Sequence, residues 1–131
     1  MKTHQLPIKV VVFNNSSLAM VRLEMLVVGE PPFETDHDEV DYAAIAAGAG
    51  FFGRRVTDPG DLERAAREVF DYDGPALLDV VTTPDALEVP THITVAESKG
   101  LTLALGKIAF EGGVGELLNL ARLNLRNIPR P

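Results

Sequence analysis

The residues in this sequence best suited to chemistry are Asn14-Asn15-Ser16-Ser17, which follow directly on the apolar run I-K-V-V-V-F at 8–13. Ligands of open parallel sheets gather at the carboxyl ends of the strands. A carboxamide oxygen placed there is a hard, neutral ligand of the kind magnesium takes together with phosphate and water oxygens. One amide does not complete such a site. The same four residues also suit a structural task, turning the chain and capping a helix, and their spacing leaves both readings open.

Other candidates are weaker. His37 lies among Glu34, Asp36, Asp38, Glu39 and Asp41. Such a cluster could attract a divalent cation, but its spacing matches no calcium loop, so it reads as a solvated loop. His4 and His92 have no acid and nucleophile at a spacing that would make a hydrolase triad and are read as structural. Gly48, Gly50 and Gly53 follow one expected helix and precede a strand, the reverse of a dinucleotide fingerprint, and are read as a helix C-cap. The absence of cysteine excludes disulfides, thiolate metal sites and thiol nucleophiles. A net charge of −7 opposes binding to a polyanion, so nucleic acid is not an expected partner. No run approaches the roughly 18 apolar residues of a spanning helix. The opening M-K-T-H-Q has no apolar signal core, and a cytoplasmic location is expected.

The elements around the Asn pair follow from periodicity. The 131 residues, 46% hydrophobic and 24% charged, are enough for one folded domain. Run 8–13 reads as a strand buried on both faces. Ser16 or Ser17 then caps a helix with Leu18, Val21, Met25 and Val28 on its inner face. A surface loop over 29–41, with Pro31-Pro32, leads to a short helix at 42–49 capped by Asp41. Residues 51–56 read as a second strand. Asp58-Pro59 starts a helix in which Leu62, Ala65, Ala66, Val69 and Phe70 repeat at helical spacing, with Glu63/Arg67 and Arg64/Glu68 paired outside. Gly74-Pro75 ends it before a third apolar strand at 76–81. Strands alternating with amphipathic helices predict an α/β fold with parallel crossovers. Pro84 and Pro90 then hold an extended stretch, followed by helices over about 96–110 and 114–127. The last has Leu117, Leu118, Ala121, Leu125 and Ile128 on one stripe and Asn119, Arg122 and Arg126 opposite.

Residues 6–25 (L-P-I-K-V-V-V-F-N-N-S-S-L-A-M-V-R-L-E-M) resemble the second half of the thiamine-diphosphate motif in pyruvate oxidases and pyruvate:quinone dehydrogenases. D-Y-A-A-I-A (41–46), D-P-G-D-L (58–62), D-G-P-A-L-L-D-V-V (73–81) and A-E-S-K-G (96–100) continue the resemblance in order. It implies a partial three-layer α/β/α thiamine-diphosphate-binding domain over 1–82, with 83–131 as an extended segment and helical tail of the same domain. It implies magnesium held by the Asn15 side chain and the Ser17 backbone carbonyl, and cofactor contacts from Asn15, Ser17, Leu18, Ala19 and Met20. Met20 would pack near the thiazolium, and Glu24 would shape the reacting end. Ala19 stands where many relatives have Gly. The implied chemistry is oxidative decarboxylation of pyruvate, with FAD passing electrons to quinone in the intact family.

That motif opens with Gly-Asp-Gly, which this sequence does not contain before Asn14. The expectation is therefore an enzyme-derived chain, incomplete as a catalyst by itself, that forms a homo-oligomer or associates with the other domains. Acetolactate synthesis, nonoxidative decarboxylation of a 2-oxo acid, and a noncatalytic oligomerising remnant are the alternatives. The basic amphipathic tail suits either peripheral membrane contact, as in the quinone-linked relatives, or docking on its own domain.

Overall fold

The computed structural model describes residues 1–4, 6–84, 86 and 94–124. Its regular elements are β1 (Lys9–Asn14), α1 (Ala19–Val28), α2 (Tyr42–Gly48), β2 (Phe52–Val56), α3 (Leu62–Asp71), β3 (Ala76–Val81), α4 (Val95–Phe110) and α5 (Val114–Asn124). They gather into two compact units. The first comprises 1–16 and 38–82, the second 17–37 and 83–131.

The first unit is built on a three-stranded parallel sheet of order β1-β3-β2. β3 is central, pairing Val12 with Asp79 on one side and Arg55 with Asp79 on the other. Side chains alternate between the faces of a strand, and that period assigns the helices. Ala76, Leu78, Val80 and Val56 form a core with Ala65 and Val69 of α3, and Arg54 on the same face pairs with Glu68 of α3 at 3.2 Å. Gly53 and Asp79 point the other way, to α2, where a Cβ on Gly53 would lie 2.2 Å from the Ala43 carbonyl oxygen. Helix, sheet, helix is the three-layer α/β order expected. Gly53 is thus a point of close approach between β2 and α2, not part of a helix C-cap.

β1 differs from its reading as a doubly buried strand. It is an edge of the described sheet, and Phe13 is 74% exposed. Two of the expected capping residues accept opening N–H groups. The Asp41 side chain accepts the Ala44 N–H at 2.8 Å to cap α2. Asp58 accepts the Gly60 N–H at 2.8 Å and opens a 3-10 turn ahead of α3. On α3 the Glu63/Arg67 and Arg64/Glu68 pairs form, while Leu62 and Phe70 stay largely exposed.

In the second unit α1 packs on α4, and α5 closes the cluster. Leu26, Ala104 and Ile108 are buried together, with Leu101, Leu117 and Leu120 against them. Gly100 makes the α1–α4 approach possible, since a Cβ there would meet the Val27 carbonyl oxygen at 1.9 Å. α4 begins with a capping box. The Thr94 hydroxyl accepts the Glu97 N–H, and the Glu97 carboxylate accepts from the Thr94 N–H.

Two helical faces are corrected. α1 buries Arg22, Leu23 and Leu26 and leaves Leu18, Val21 and Val28 exposed, because the partner surface is α4. On α5 the inward residues are Leu117 and Leu120, with Leu118 and Ala121 exposed. Of the two uses open to the apolar stripe, docking within the unit takes up Leu117. Pro90, His92, Leu125, Arg126, Asn127 and Ile128 lie outside the described residues. Among the described residues no helix is long and apolar enough to cross a membrane.

Candidate functional site

β1 ends at Asn14 and Asn15 follows it, so both carboxamides stand at the carboxyl end of the parallel sheet, the end where such sheets bind ligands. Asn14 is only 3% exposed, and its side chain holds the backbone. Nδ2 donates to the Val40 carbonyl at 2.8 Å, and Oδ1 accepts the Ser16 N–H at 3.3 Å. Its own carbonyl accepts the Thr82 N–H at 2.8 Å. Asn15, half-buried, is the first residue past the ladder. Ser16 has φ 51°, in the left-handed region that side-chain-bearing residues enter at a cost of roughly 1–3 kcal/mol. The Asn14 Oδ1 bond across this turn is the Asx type that offsets such a cost.

Ser17 is buried and opens the second unit. Its hydroxyl donates to the Thr35 carbonyl at 3.4 Å, the Leu18 N–H donates to the same oxygen at 2.7 Å, and Ser17 bridges antiparallel to Asp36. Neither Ser16 nor Ser17 caps α1, contrary to expectation. Its N-cap residue is Leu18, with no side-chain cap and no acid in the first turn. The first turn of α1 thus adds no carboxylate of its own to the positive end of the helix dipole, while Asp36, bridged to Ser17, lies 4.0 Å from Arg22. Leu18 is exposed, Ala19 half-buried and Met20 62% exposed. Glu24, one turn beyond Met20, is also exposed.

These residues pass a chemical test for the implied group. A carboxamide oxygen and a peptide carbonyl are hard neutral donors that suit magnesium, and a helix start with no side-chain cap suits phosphate oxygens. Among the described residues no group of three or more His, Asp or Glu could hold a metal ion. The donor set fits an ion that brings its own phosphate oxygens, not one caged by protein. The acidic loop around His37 supplies no such cage.

Sequence reasoning missed the group that backs Asn14. Asp79, in the central strand, is fully buried. Its Oδ2 accepts the Tyr42 N–H at 3.1 Å and lies 3.5 Å from Nη1 of Arg55. Arg55 Nη1 also donates to the Val40 carbonyl at 3.1 Å, and its Nη2 pairs with Glu39. The signal was an Asp inside the apolar run A-L-L-D-V-V, since a charge buried there must be paired, with Arg54-Arg55 available on the preceding strand.

A parallel α/β sheet with oxygen donors at a strand end is a setting in which phosphates and cofactors bind. The family model described as thiamine pyrophosphate enzyme, C-terminal TPP binding domain, matches residues 1–80, and the chain belongs to that family. It is 34% identical over 119 residues to a Bacillus subtilis protein, YdaP, named as thiamine pyrophosphate-containing, covering 91% of this chain and 21% of that one. It is 36% identical over 76 residues to the mitochondrial acetolactate synthase catalytic subunit of Aspergillus candidus, covering 57% of this chain and 11% of the relative. It is also 36% identical over 81 residues to the large subunit of acetolactate synthase isozyme 2 of Escherichia coli, covering 60% and 15%. The chain thus spans about a fifth or less of the length of these relatives. Two of the three are named as acetolactate synthases, and none of the three is named as a pyruvate oxidase.

Proposed function

We propose that Asn15, through its side-chain oxygen, and Ser17, through its backbone carbonyl, hold the magnesium–diphosphate end of thiamine diphosphate in an enzyme acting on pyruvate. The observation that carries this reading is the position of Asn15, one residue past β1 and within the stretch matched by the family model. The Gly-Asp-Gly contacts of the motif have no counterpart within residues 1–131 and would come from another polypeptide segment, or from a second subunit of an oligomer. When bound, the cofactor supplies a thiazolium ring that stabilises carbanion character next to a 2-oxo group. The chain's own part is to bind and orient. Leu18, Ala19 and Met20 present backbone and apolar surface at the start of α1, and Glu24 offers a carboxylate one turn later.

We assign the reaction to oxidative decarboxylation, with FAD and then quinone as acceptors. A second reading, acetolactate synthesis from pyruvate, is favoured by the two synthase relatives. Dye reduction coupled to acetate formation supports the first; acetolactate formed without an electron acceptor supports the second.

The cofactor reading is tested by titrating the ¹⁵N-labelled protein with thiamine diphosphate and Mg²⁺ up to the millimolar range, where even weak binding, on the order of −4 kcal/mol, is visible. The side-chain amide of Asn15 and the backbone amides of 17–20 are expected to shift saturably, and Asn15→Ala to abolish the response. Shifts that survive Asn15→Ala, or none in the wild type, would overturn the assignment.

A further inference from the structure

Asn14 is tied to an ion network on the α2 face of the sheet that is anchored on the buried Asp79. Two donors from different strands converge on one oxygen, the Val40 carbonyl: Asn14 Nδ2 from β1 at 2.8 Å and Arg55 Nη1 from β2 at 3.1 Å. Arg55, whose side chain is only 18% exposed, is held in turn by Asp79 at 3.5 Å, by Asp41 at 3.9 Å and by Glu39. Asp79 also fixes the start of α2 through the Tyr42 N–H. Asn14 then reaches across its neighbour, its Oδ1 accepting the N–H of Ser16. Asn15 therefore sits between two backbone points whose geometry depends on Asn14, and Asn14 shares its acceptor with Arg55.

We infer that Arg55 and Asp79 are positioning residues for the metal-binding amide, acting through the Val40 carbonyl and Asn14. The inference rests on the reading of Asn15 as a magnesium ligand. An arginine suits the task because its rigid planar fork fixes the carboxylates and the carbonyl relative to one another, where an ammonium on a flexible stem acts as a point charge. The buried carboxylate sets the position of the fork, since a charge in the sheet interior is stable only when paired. Partners that orient metal ligands in this way typically matter about 10–100-fold for metal affinity.

The test uses the ¹⁵N-labelled protein with thiamine diphosphate and Mg²⁺ as the probe. In ligand-free protein, Arg55→Met is expected to move the Asn14 side-chain amide signals toward solvent-exposed positions. Its affinity for the probe is expected to fall about tenfold. Asn14→Ala should weaken binding similarly. In an Asn14→Ala background, adding Arg55→Met should change affinity by less than about twofold while still lowering the melting temperature, because the two act in series on binding. A general loss of structure would not give that split. Arg55→Lys, which keeps the charge opposite Asp79, serves if Arg55→Met fails to fold, and should move the Asn14 amide while leaving the melting temperature closer to wild type. An unmoved Asn14 amide, or affinity losses that multiply in the double variant, overturns the positioning role with the cofactor reading intact. No saturable response from the wild type overturns the cofactor reading, and the positioning role falls with it.

Discussion

Of the two neighbouring carboxamides at the end of β1, Asn14 commits both polar atoms to the chain itself, Nδ2 to Val40 and Oδ1 to Ser16. Those two bonds give Asn14 a scaffolding duty beside Asn15, for which the ligand duty is proposed. The place of the pair was legible in the sequence, because a β-branched run ending in Asn-Asn puts amides at a strand's carboxyl end whatever the rest of the fold does. The bond from Asn14 to Val40 was not, because Val40 is far along the chain and only folding brings it near. The clearest titration shifts belong to helix starts. Arg64 beside Asp61 holds that carboxyl below the usual range. The hydroxyl and N–H of Thr94 hold Glu97 below its ordinary value of 4.5. A depressed folded-state value means stabilisation that is present above the ordinary value and lost as pH falls through the folded one. Wild type should therefore melt above Glu97→Gln near neutral pH, with the gap closing below about pH 4.5. A gap independent of pH would show that the Glu97 charge contributes nothing to the cap.

At the scale of elements, α3, β3 and the start of α2 follow from local chemistry alone: an amphipathic period, a Gly-Pro break, and an Asp side chain placed to accept an N–H group. Close approaches do not. Gly100 reads as one more small residue in a helix, yet α4 can lie on the end of α1 only because no Cβ stands between Gly100 and the Val27 carbonyl. The inward face of α1 was misjudged for the same reason, since which apolar stripe is buried depends on where α4 arrives. Two substitutions on α4 separate packing from propensity. Gly100→Ala should destabilise by about 1–3 kcal/mol or more through overpacking. Gly106→Ala, where a Cβ would meet nothing within 4 Å, should stabilise by up to about 1 kcal/mol through helix propensity. Denaturant melts of the two variants check this, and equal effects would contradict the packing role of Gly100.

On the scale of the whole molecule, apolar side chains remain exposed on both units. Val11 and Phe13 lie on β1, whose outer edge pairs with no strand among the described residues, and Val95, Leu103 and Phe110 lie on α4. An unpaired apolar edge favours association. Sedimentation velocity should show concentration-dependent species heavier than the 14.2 kDa chain, with Phe13→Asp shifting them toward monomer. A monomer at every concentration would contradict this.

The most direct test of the central claim, that Asn15 and Ser17 hold the metal of a thiamine diphosphate site, replaces Mg²⁺ with paramagnetic Mn²⁺ in the ¹⁵N-labelled protein. With thiamine diphosphate present, the side-chain amide of Asn15 and the backbone amides of Ser17 and Leu18 should broaden first, while those of α3 stay sharp. Broadening centred on the acidic loop at 34–41, or unchanged when the cofactor is omitted, would contradict the claim.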